Sequence, residues 1–501
     1  MADVILFRPI EVYSEALSSH RPPLGLLYLA SELAARGFSV KIIDTETTKN
    51  WEEVLSSAME ETTVLAGVGV MTGYQIRGAI DFATAVKRIR SVPVVWGGLH
   101  PSLLPEQTLK HEAVDIVVMG EGEMTLADLA EAIRNHLLID GICNIVYKRN
   151  GEIIRTRPTK HFLEMDKLKL PEYRLADVEY YANQKRSFMG DRKKCLDLNT
   201  DRGCPNRCGF CYNLRFNSRR WRGMSAEKVL DAIADMVNRY HIDAINFTSD
   251  NFFVSQERIR AIAAGLIERK LDVAWHADMR IDTFLHYDDA LLSLIKKSGC
   301  AELTFGVESG SDRILQLICK DIRVKDVLSA HARALDFGFK VNYHFMIGFP
   351  DETAADIKTT ASLIYRLSRR DGITIFGPSI YKPYPGTPLF DKSIQLGFRQ
   401  PQSLEEWVTY DVDSLAKFPW FSGRYKRYLI EVQYVASRAA WQAGNMNRRL
   451  RKAYFRLRLL GISRGISLLG LDILLIQICK GILRTTALFY EKVIISMQCK
   501  C

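Results

Sequence analysis

Two rhythms of apolar residues organise the first third of the chain. Short apolar runs at residues 4–9, 39–44, 64–70, 92–96 and 115–119 read as buried strands, and residues 24–36, 51–60 and 74–90 between them repeat apolar side chains at the helical period. This alternation predicts a doubly wound parallel sheet of Rossmann-like type, whose ligands lie across the carboxyl ends of its strands. Residues 142–147 and 153–156, joined by Arg149-Asn150-Gly151, predict a hairpin that closes a first unit at residues 1–156. Residues 157–194 carry Pro158, Pro171 and the aromatics Phe162, Tyr173, Tyr180 and Tyr181, and read as an ordered linker.

From residue 195 the alternation resumes. Strands at 195–199, 244–248, 273–277, 302–306, 340–347 and 372–380, separated by helical stretches, make six βα units. Six units fit an open, partial (β/α)6 barrel over residues 195–390, with chemistry expected at the carboxyl ends of its strands. Residues 391–501 read as a helical, basic C-terminal region.

Composition adds to this α/β picture only where it is uneven. The 501 residues, 47% hydrophobic, exceed one ordinary core. The net charge is +10, but residues 424–501 hold fifteen Lys and Arg against three Asp and Glu, so the rest of the chain is near neutral. A neutral body with a basic appendage argues against a nucleic-acid partner. The basic residues Arg448, Arg449, Arg451, Lys452, Arg456 and Arg458 precede an apolar run at 465–479, which Asp472 interrupts and which falls short of the roughly 20 residues of a membrane span. That pairing suits either a helix lying in a membrane surface or a helical cap on the barrel. Ten cysteines without an apolar leader point to a reducing, cytoplasmic setting, peripheral to the inner face of the membrane if the tail binds lipid.

Three of those cysteines stand within eight residues, Cys204-Pro205-Asn206-Arg207-Cys208-Gly209-Phe210-Cys211. Thiols this close do not pair with one another, but they can wrap one corner of an iron–sulfur cluster. Three thiolates would leave one iron of a [4Fe–4S] cube free for a nitrogen and oxygen ligand. A zinc knuckle would want a fourth Cys or His at finger-like spacing, and the nearest downstream are His241 and Cys300. Other signals fall at strand ends. Gly97-Gly98-Leu99-His100-Pro101 and Gly120-Glu121-Gly122-Glu123 follow the fourth and fifth strands of the first unit, and neither matches a phosphate-loop pattern. In the second unit, Asp250-Asn251 could be a turn and N-cap, and Arg280-Ile281-Asp282 a surface ion pair. Gly306-Val307-Glu308-Ser309-Gly310 sets a carboxylate between glycines, and Gly348-Phe349-Pro350 and Pro385-Gly386-Thr387-Pro388 follow the last two strands.

In this order the residues resemble the radical SAM enzymes that carry a cobalamin (B12)-binding domain. The resemblance covers about residues 4–390. It implies that Cys204, Cys208 and Cys211 ligate the cluster and that its open iron chelates S-adenosylmethionine (SAM). Phe210 would then lie beside the adenine, Asp250 near the methionyl amine, Arg280 on the carboxylate, and Glu308 with Ser309 at the ribose. It further implies a cobalamin site at Pro23, Leu24, Gly25, Gly97, Gly98, His100 and Gly120, Glu121, Gly122, Glu123. The DxHxxG string of methionine-synthase-type domains, whose His binds cobalt, is missing from residues 1–160, so base-off cobalamin is expected, with His100 lining the pocket rather than ligating cobalt. The implied activity is methylation or remodelling of an unactivated carbon of a hydrophobic small molecule, a lipid or tetrapyrrole, with flavodoxin or ferredoxin as reductant. The same arrangement occurs in the anaerobic magnesium-protoporphyrin ester cyclase, which makes an oxidoreductase the rival; a non-catalytic cobalamin or redox sensor is the other.

Overall fold

Two sheets, each packed between helices, carry the chain. The computed structural model describes residues 2–9, 20–159, 162–370, 372–410, 418–441 and 457–464. The first sheet holds β1 (Val4–Arg8), β2 (Val40–Asp44), β3 (Leu65–Gly69), β4 (Val94–Gly97), β5 (Ile116–Val118), β6 (Ile145–Arg149) and β7 (Glu152–Arg155) in the order β2-β1-β3-β4-β5-β6-β7. Strands β1 to β5 are parallel, while the β6–β7 hairpin adds on antiparallel. The chain steps from β1 to β2 on one side, then to β3 on the other. That reversal opens a crevice at the carboxyl ends of β1 and β3, where such sheets bind ligands.

The second sheet is wholly parallel, with β8 (Cys195–Leu198), β11 (Ala244–Phe247), β12 (Ala274–Met279), β13 (Cys300–Glu308), β14 (Lys340–Ile347) and β15 (Ile373–Ile380) side by side in chain order. Period-two alternation sorts its faces. Leu303, Phe305, Val307, Val341, Tyr343 and Phe345 are buried in the hydrophobic core, whereas Glu302, Thr304 and Asn342 alternate with them and bond to one another across the strands. Between β8 and β11 the two-residue strands β9 (Asp201–Arg202) and β10 (Arg222–Gly223) pair antiparallel and pinch the segment that holds the three cysteines.

Short elements without a clear apolar period escape the sequence pattern. The helices Leu99–Leu103 and Pro105–Leu109 follow β4, and Ile281–His286 starts directly after Arg280. The linker is a wedge: Tyr181 bonds Asp44 of the first sheet at 2.5 Å, Tyr173 donates to the Asp197 carbonyl of the second at 2.5 Å, and Phe188 stacks on His276. The helix Gly423–Trp441 packs on β15 and on the helix Ala354–Leu367. Arg458, counted above with the basic residues, is buried against Glu431 at 2.6 Å, with Leu459 and Ile462 buried beside it. These stretches of the basic region cap the barrel. The runs 448–452 and 465–479 lie outside the described residues. Among the described residues no helix is long and apolar enough to cross a membrane.

Candidate functional site

The cysteine segment is anchored on both flanks. Gly203 has φ +84°, and a Cβ there would come within 1.8 Å of the Arg220 carbonyl oxygen, so only glycine fits. Asp250, in the loop that follows β11, accepts from the Gly203 amide at 2.7 Å, the Tyr212 hydroxyl at 2.6 Å and Asn217 Nδ2 at 3.3 Å. On the far flank the Gly209 amide donates to the Ile318 carbonyl at 2.8 Å, and Arg207 pairs with Asp321 at 2.9 Å. Donors also reach the sulfurs: Asn206 and Asn251 approach Cys204 Sγ at 3.3 and 3.4 Å, and Arg280 Nη1 approaches Cys208 Sγ at 3.5 Å. Burial pushes the Cys211 thiol up to about 12. Among the described residues no three Cys, His, Asp or Glu side chains converge on one point as ligands of a single ion. Thiols that bind separate irons of a cube have no need to. Cys195 and Cys300 sit at the amino ends of β8 and β13, away from this loop.

The residues expected around SAM divide. Glu308 ends β13 at φ +69°, where the register with β14 shifts, a conformation strained for a non-glycine residue and concentrated at functional sites. Its Oε1 accepts from Lys320 Nζ at 2.6 Å, and both side chains are about nine-tenths buried. Burial opposes the charge on Lys320, but Glu308 more than offsets it and the pKa lies above the ordinary lysine value. Arg280 pairs with both Asp282 oxygens at 2.9 Å and donates to the Lys320 carbonyl at 2.7 Å. Phe210 lies 6.0 Å from Phe349, which stands 5.4 Å from Tyr381, forming an aromatic wall. Ser309 is not brought in: its hydroxyl pairs with Thr360 of the helix Ala354–Leu367 at 3.2 Å. Asp250 anchors the loop rather than capping the next helix, whose N-cap is Ser255. Sequence reasoning missed Lys320 and Asp321. A lysine in the turn Cys319-Lys320-Asp321 reads as solvated surface, and only the fold turns it inward.

The residues expected around cobalamin line a cavity of about 610 Å³ at the β1/β3 switch point. Pro23, Leu24, Gly25, Gly97, Gly98, Gly120, Glu121, Gly122 and Glu123 form one wall. Asn199, Arg202, Tyr212, Thr248 and Asp250 of the barrel form the other. A second cavity of about 1010 Å³ shares Gly120, Glu121 and Glu123 with it. The walls suit a large ligand with amides to satisfy: Asn199 Oδ1, Thr248 Oγ1 and Glu123 Oε2 are buried without hydrogen-bond partners. At Gly98, with φ +93°, a Cβ would press 2.9 Å from the Val70 backbone. His100 departs from expectation. It lies behind the wall, fully buried, with Nδ1 3.2 Å from Thr72 Oγ1 and its ring 5.6 Å from Trp407. The short helix Leu99–Leu103 turns the side chain away from the cavity, and burial pushes its pKa down to about 3, so the ring is neutral. Glu121 and Glu123 line the cavity but also bind arginines, Glu121 to Arg202 and Arg222 at 3.2 and 2.8 Å, Glu123 to Arg202 at 2.5 Å.

Comparison with known proteins accords with this geometry. Residues 198–364 match the family model of the radical SAM superfamily, and residues 12–130 match that of the B12 binding domain. A Pyrococcus horikoshii protein described as an uncharacterized methyltransferase is 30% identical over 83% of this chain and 87% of its own. The anaerobic magnesium-protoporphyrin IX monomethyl ester cyclase of Rubrivivax gelatinosus is 24% identical over 75% of this chain and 67% of its own. Among solved structures, the radical SAM methyltransferase TsrM from Kitasatospora setae, with cobalamin and a [4Fe–4S] cluster bound, superposes with TM-score 0.67 and 16% identity over 93% of this chain and 99% of that one, a likeness of fold. A B12-binding sheet joined to a radical SAM barrel defines a cobalamin-type radical SAM enzyme. More closely, the chain belongs to the cobalamin-dependent radical SAM methyltransferases, whose cofactors are a [4Fe–4S] cluster, SAM and cobalamin.

Proposed function

We propose that this enzyme methylates an unactivated carbon of a hydrophobic small molecule, a lipid or tetrapyrrole. Cys204, Cys208 and Cys211 hold the cluster, Phe210, Arg280 and Glu308 border SAM, and the turns at Pro23–Gly25, Gly97–Gly98 and Gly120–Glu123 cradle cobalamin. Residues 1–156 and 195–390 act as the two cofactor units, joined by 157–194 and followed from residue 391 by the C-terminal region, whose helix Gly423–Trp441 packs on the second. The observation that carries this reading is one cavity walled by both units, with the glycine turns on one side and Tyr212 and Asp250, which fix the cysteine loop, on the other. A group cradled by the turns therefore faces one held by the loop.

When bound, the cofactors supply a carbon radical and a methyl group. The protein's own part is to place them and keep water out: Leu6, Leu24, Leu26 and Leu126 give the cavity apolar patches between its polar groups. A hydrophobic substrate fits the magnesium-protoporphyrin cyclase among the relatives. A flavodoxin or ferredoxin would supply the electron. Peripheral membrane binding would rest on the runs 448–452 and 465–479, and vesicle flotation tests it.

Anaerobic incubation of the reconstituted enzyme with SAM, cobalamin and reductant should yield 5′-deoxyadenosine with S-adenosylhomocysteine. It should also yield a product heavier by one CH2. Gain of oxygen or loss of hydrogen would make it a cyclase-type oxidoreductase instead. Cys208→Ala should lose both the brown absorbance and SAM cleavage.

A further inference from the structure

From Cys204 to Arg222 the chain carries five arginines and no Asp or Glu, in a body whose charge is otherwise near neutral. Arg222 is matched by Glu121 and Arg207 by Asp321, yet the Arg207 side chain is still 61% exposed beside Cys208. Arg219 and Arg220 are exposed and form no ion pair among the described residues. Ser218 and Arg219 both take left-handed backbone, φ +49° and +58°, in a turn that lays Arg219 back over the cysteine loop. Its Nε and Nη2 donate to the Pro205 carbonyl at 3.1 and 3.0 Å. The Arg220 carbonyl packs on Gly203, directly before Cys204. Arg207 first, then Arg280 and Arg219, hold the Asp321 carboxyl below its ordinary value, so Arg207 and Arg219 stand near one carboxylate. Three arginines against that one acid leave the rim of the loop positive. Pro205 on this rim is exposed, and Cys204 and Cys211 are only half-buried.

We propose that Arg207, Arg219 and Arg220 form the docking surface for an acidic one-electron donor protein of flavodoxin or ferredoxin type. This rests on the reading that Cys204, Cys208 and Cys211 hold the cluster. One electron leaves the donor's reduced flavin or iron–sulfur centre and enters the oxidised cluster; no bond forms or breaks and no proton need move. The rim is compact, and among the described residues none of the large apolar side chains that stand exposed falls between residues 204 and 222. A lipid surface would call for such side chains beside the charges, and a nucleic acid for a longer basic stripe. Electron-transfer encounters instead use small contacts, under about 1,200 Å², with opposite charge steering the approach.

The test reduces the full-length, cluster-loaded protein anaerobically with two kinds of donor. Reduced flavodoxin and reduced ferredoxin are acidic proteins; photoreduced deazariboflavin is small, uncharged and needs no docking surface. Stopped-flow bleaching of the cluster gives each rate, and the electron paramagnetic resonance signal of the reduced cluster shows that the electron arrived. In Arg219→Glu/Arg220→Glu the rate with the faster protein donor should fall about tenfold or more relative to the deazaflavin rate at low ionic strength. In about 0.5 M salt, where exposed charges are screened, the gap should close. Any disturbance of the loop itself slows both kinds of donor and cancels in the ratio. Should the double variant lose its cluster, Arg220→Glu, whose side chain makes no hydrogen bond to the loop among the described residues, is measured instead; loss of the cluster there too overturns the proposal. So does an unchanged ratio, or failure of both proteins to reduce the unaltered enzyme. Flotation with phosphatidylglycerol vesicles that the substitution abolishes would then assign the arginines to a membrane surface. Failure of the unaltered protein to take up a cluster would instead refute the reading of the three cysteines.

Discussion

His100 and Glu308 are each the polar residue of a glycine-flanked strand end, yet the structure gives them opposite surroundings. Glu308 is forced into the left-handed region and meets Lys320. His100 is folded under a short helix against Thr72 and Trp407. A metal-binding imidazole needs its free nitrogen aimed at the metal and its other nitrogen held by an orienting partner. His100 has the partner but is turned from the cavity. His100→Asn should therefore leave the absorption spectrum of the cobalamin-loaded protein unchanged. A spectrum that switches ligation state on this substitution would place His100 on cobalt and refute the arrangement.

At the scale of elements, the six barrel strands and the five parallel strands of the first sheet follow from apolar runs, because burial of a strand on both sides is written locally. The cysteine spacing is equally local. The anchors are not: Asp250 and Asp321 reach the loop through contacts 38 and 114 residues distant in sequence, and each looks alone like a turn residue. The same holds for Glu352 in the turn after β14. Burial raises its carboxyl pKa to about 8, although the Gly348 and Phe349 amides and Tyr425 hydroxyl donate to it. Its ordinary value is near 4.5. Below that, folded and unfolded chains both hold the proton and the full stability is present. Between there and about pH 8 the unfolded chain releases its proton while the folded one keeps it, so stability falls as pH rises. Glu352→Gln removes that loss, and its stability relative to the unaltered protein should climb by about 1.4 kcal/mol per pH unit across the window. Urea melts at three pH values measure this; a constant difference would mean that Glu352 is ionised in the fold.

Across the whole molecule, the contact between the two sheets is charged where the cofactors would meet. Arg202 introduces the cysteine loop, and burial works against its charge while Glu123 and Glu121 hold it firmly protonated. Arg222, on the strand paired with it, binds Glu121 from the other side. Apart from this, Tyr28 donates to the Asn199 carbonyl at 2.5 Å, and Trp407 bonds Gln107 at 2.7 Å. The same two carboxylates line the cavity walled by the glycine turns, so a cofactor held in that cavity and a cluster held by the loop would share a set of ion pairs. Breaking a buried pair by removing one member costs about 3–5 kcal/mol, because the remaining charge is stranded. Glu123→Gln should therefore loosen the cysteine loop from the first sheet: amide hydrogen exchange over residues 200–223 should accelerate while that of β1 and β3 does not. Cobalamin affinity and cluster retention should fall together in this one variant. If the corrinoid is lost while exchange in the loop stays as it was, Glu123 touches cofactor alone and the two sites are not joined through Arg202. If both are unaffected, the paired carboxylates are packing, and the coupling must run through Tyr28 and Asn199.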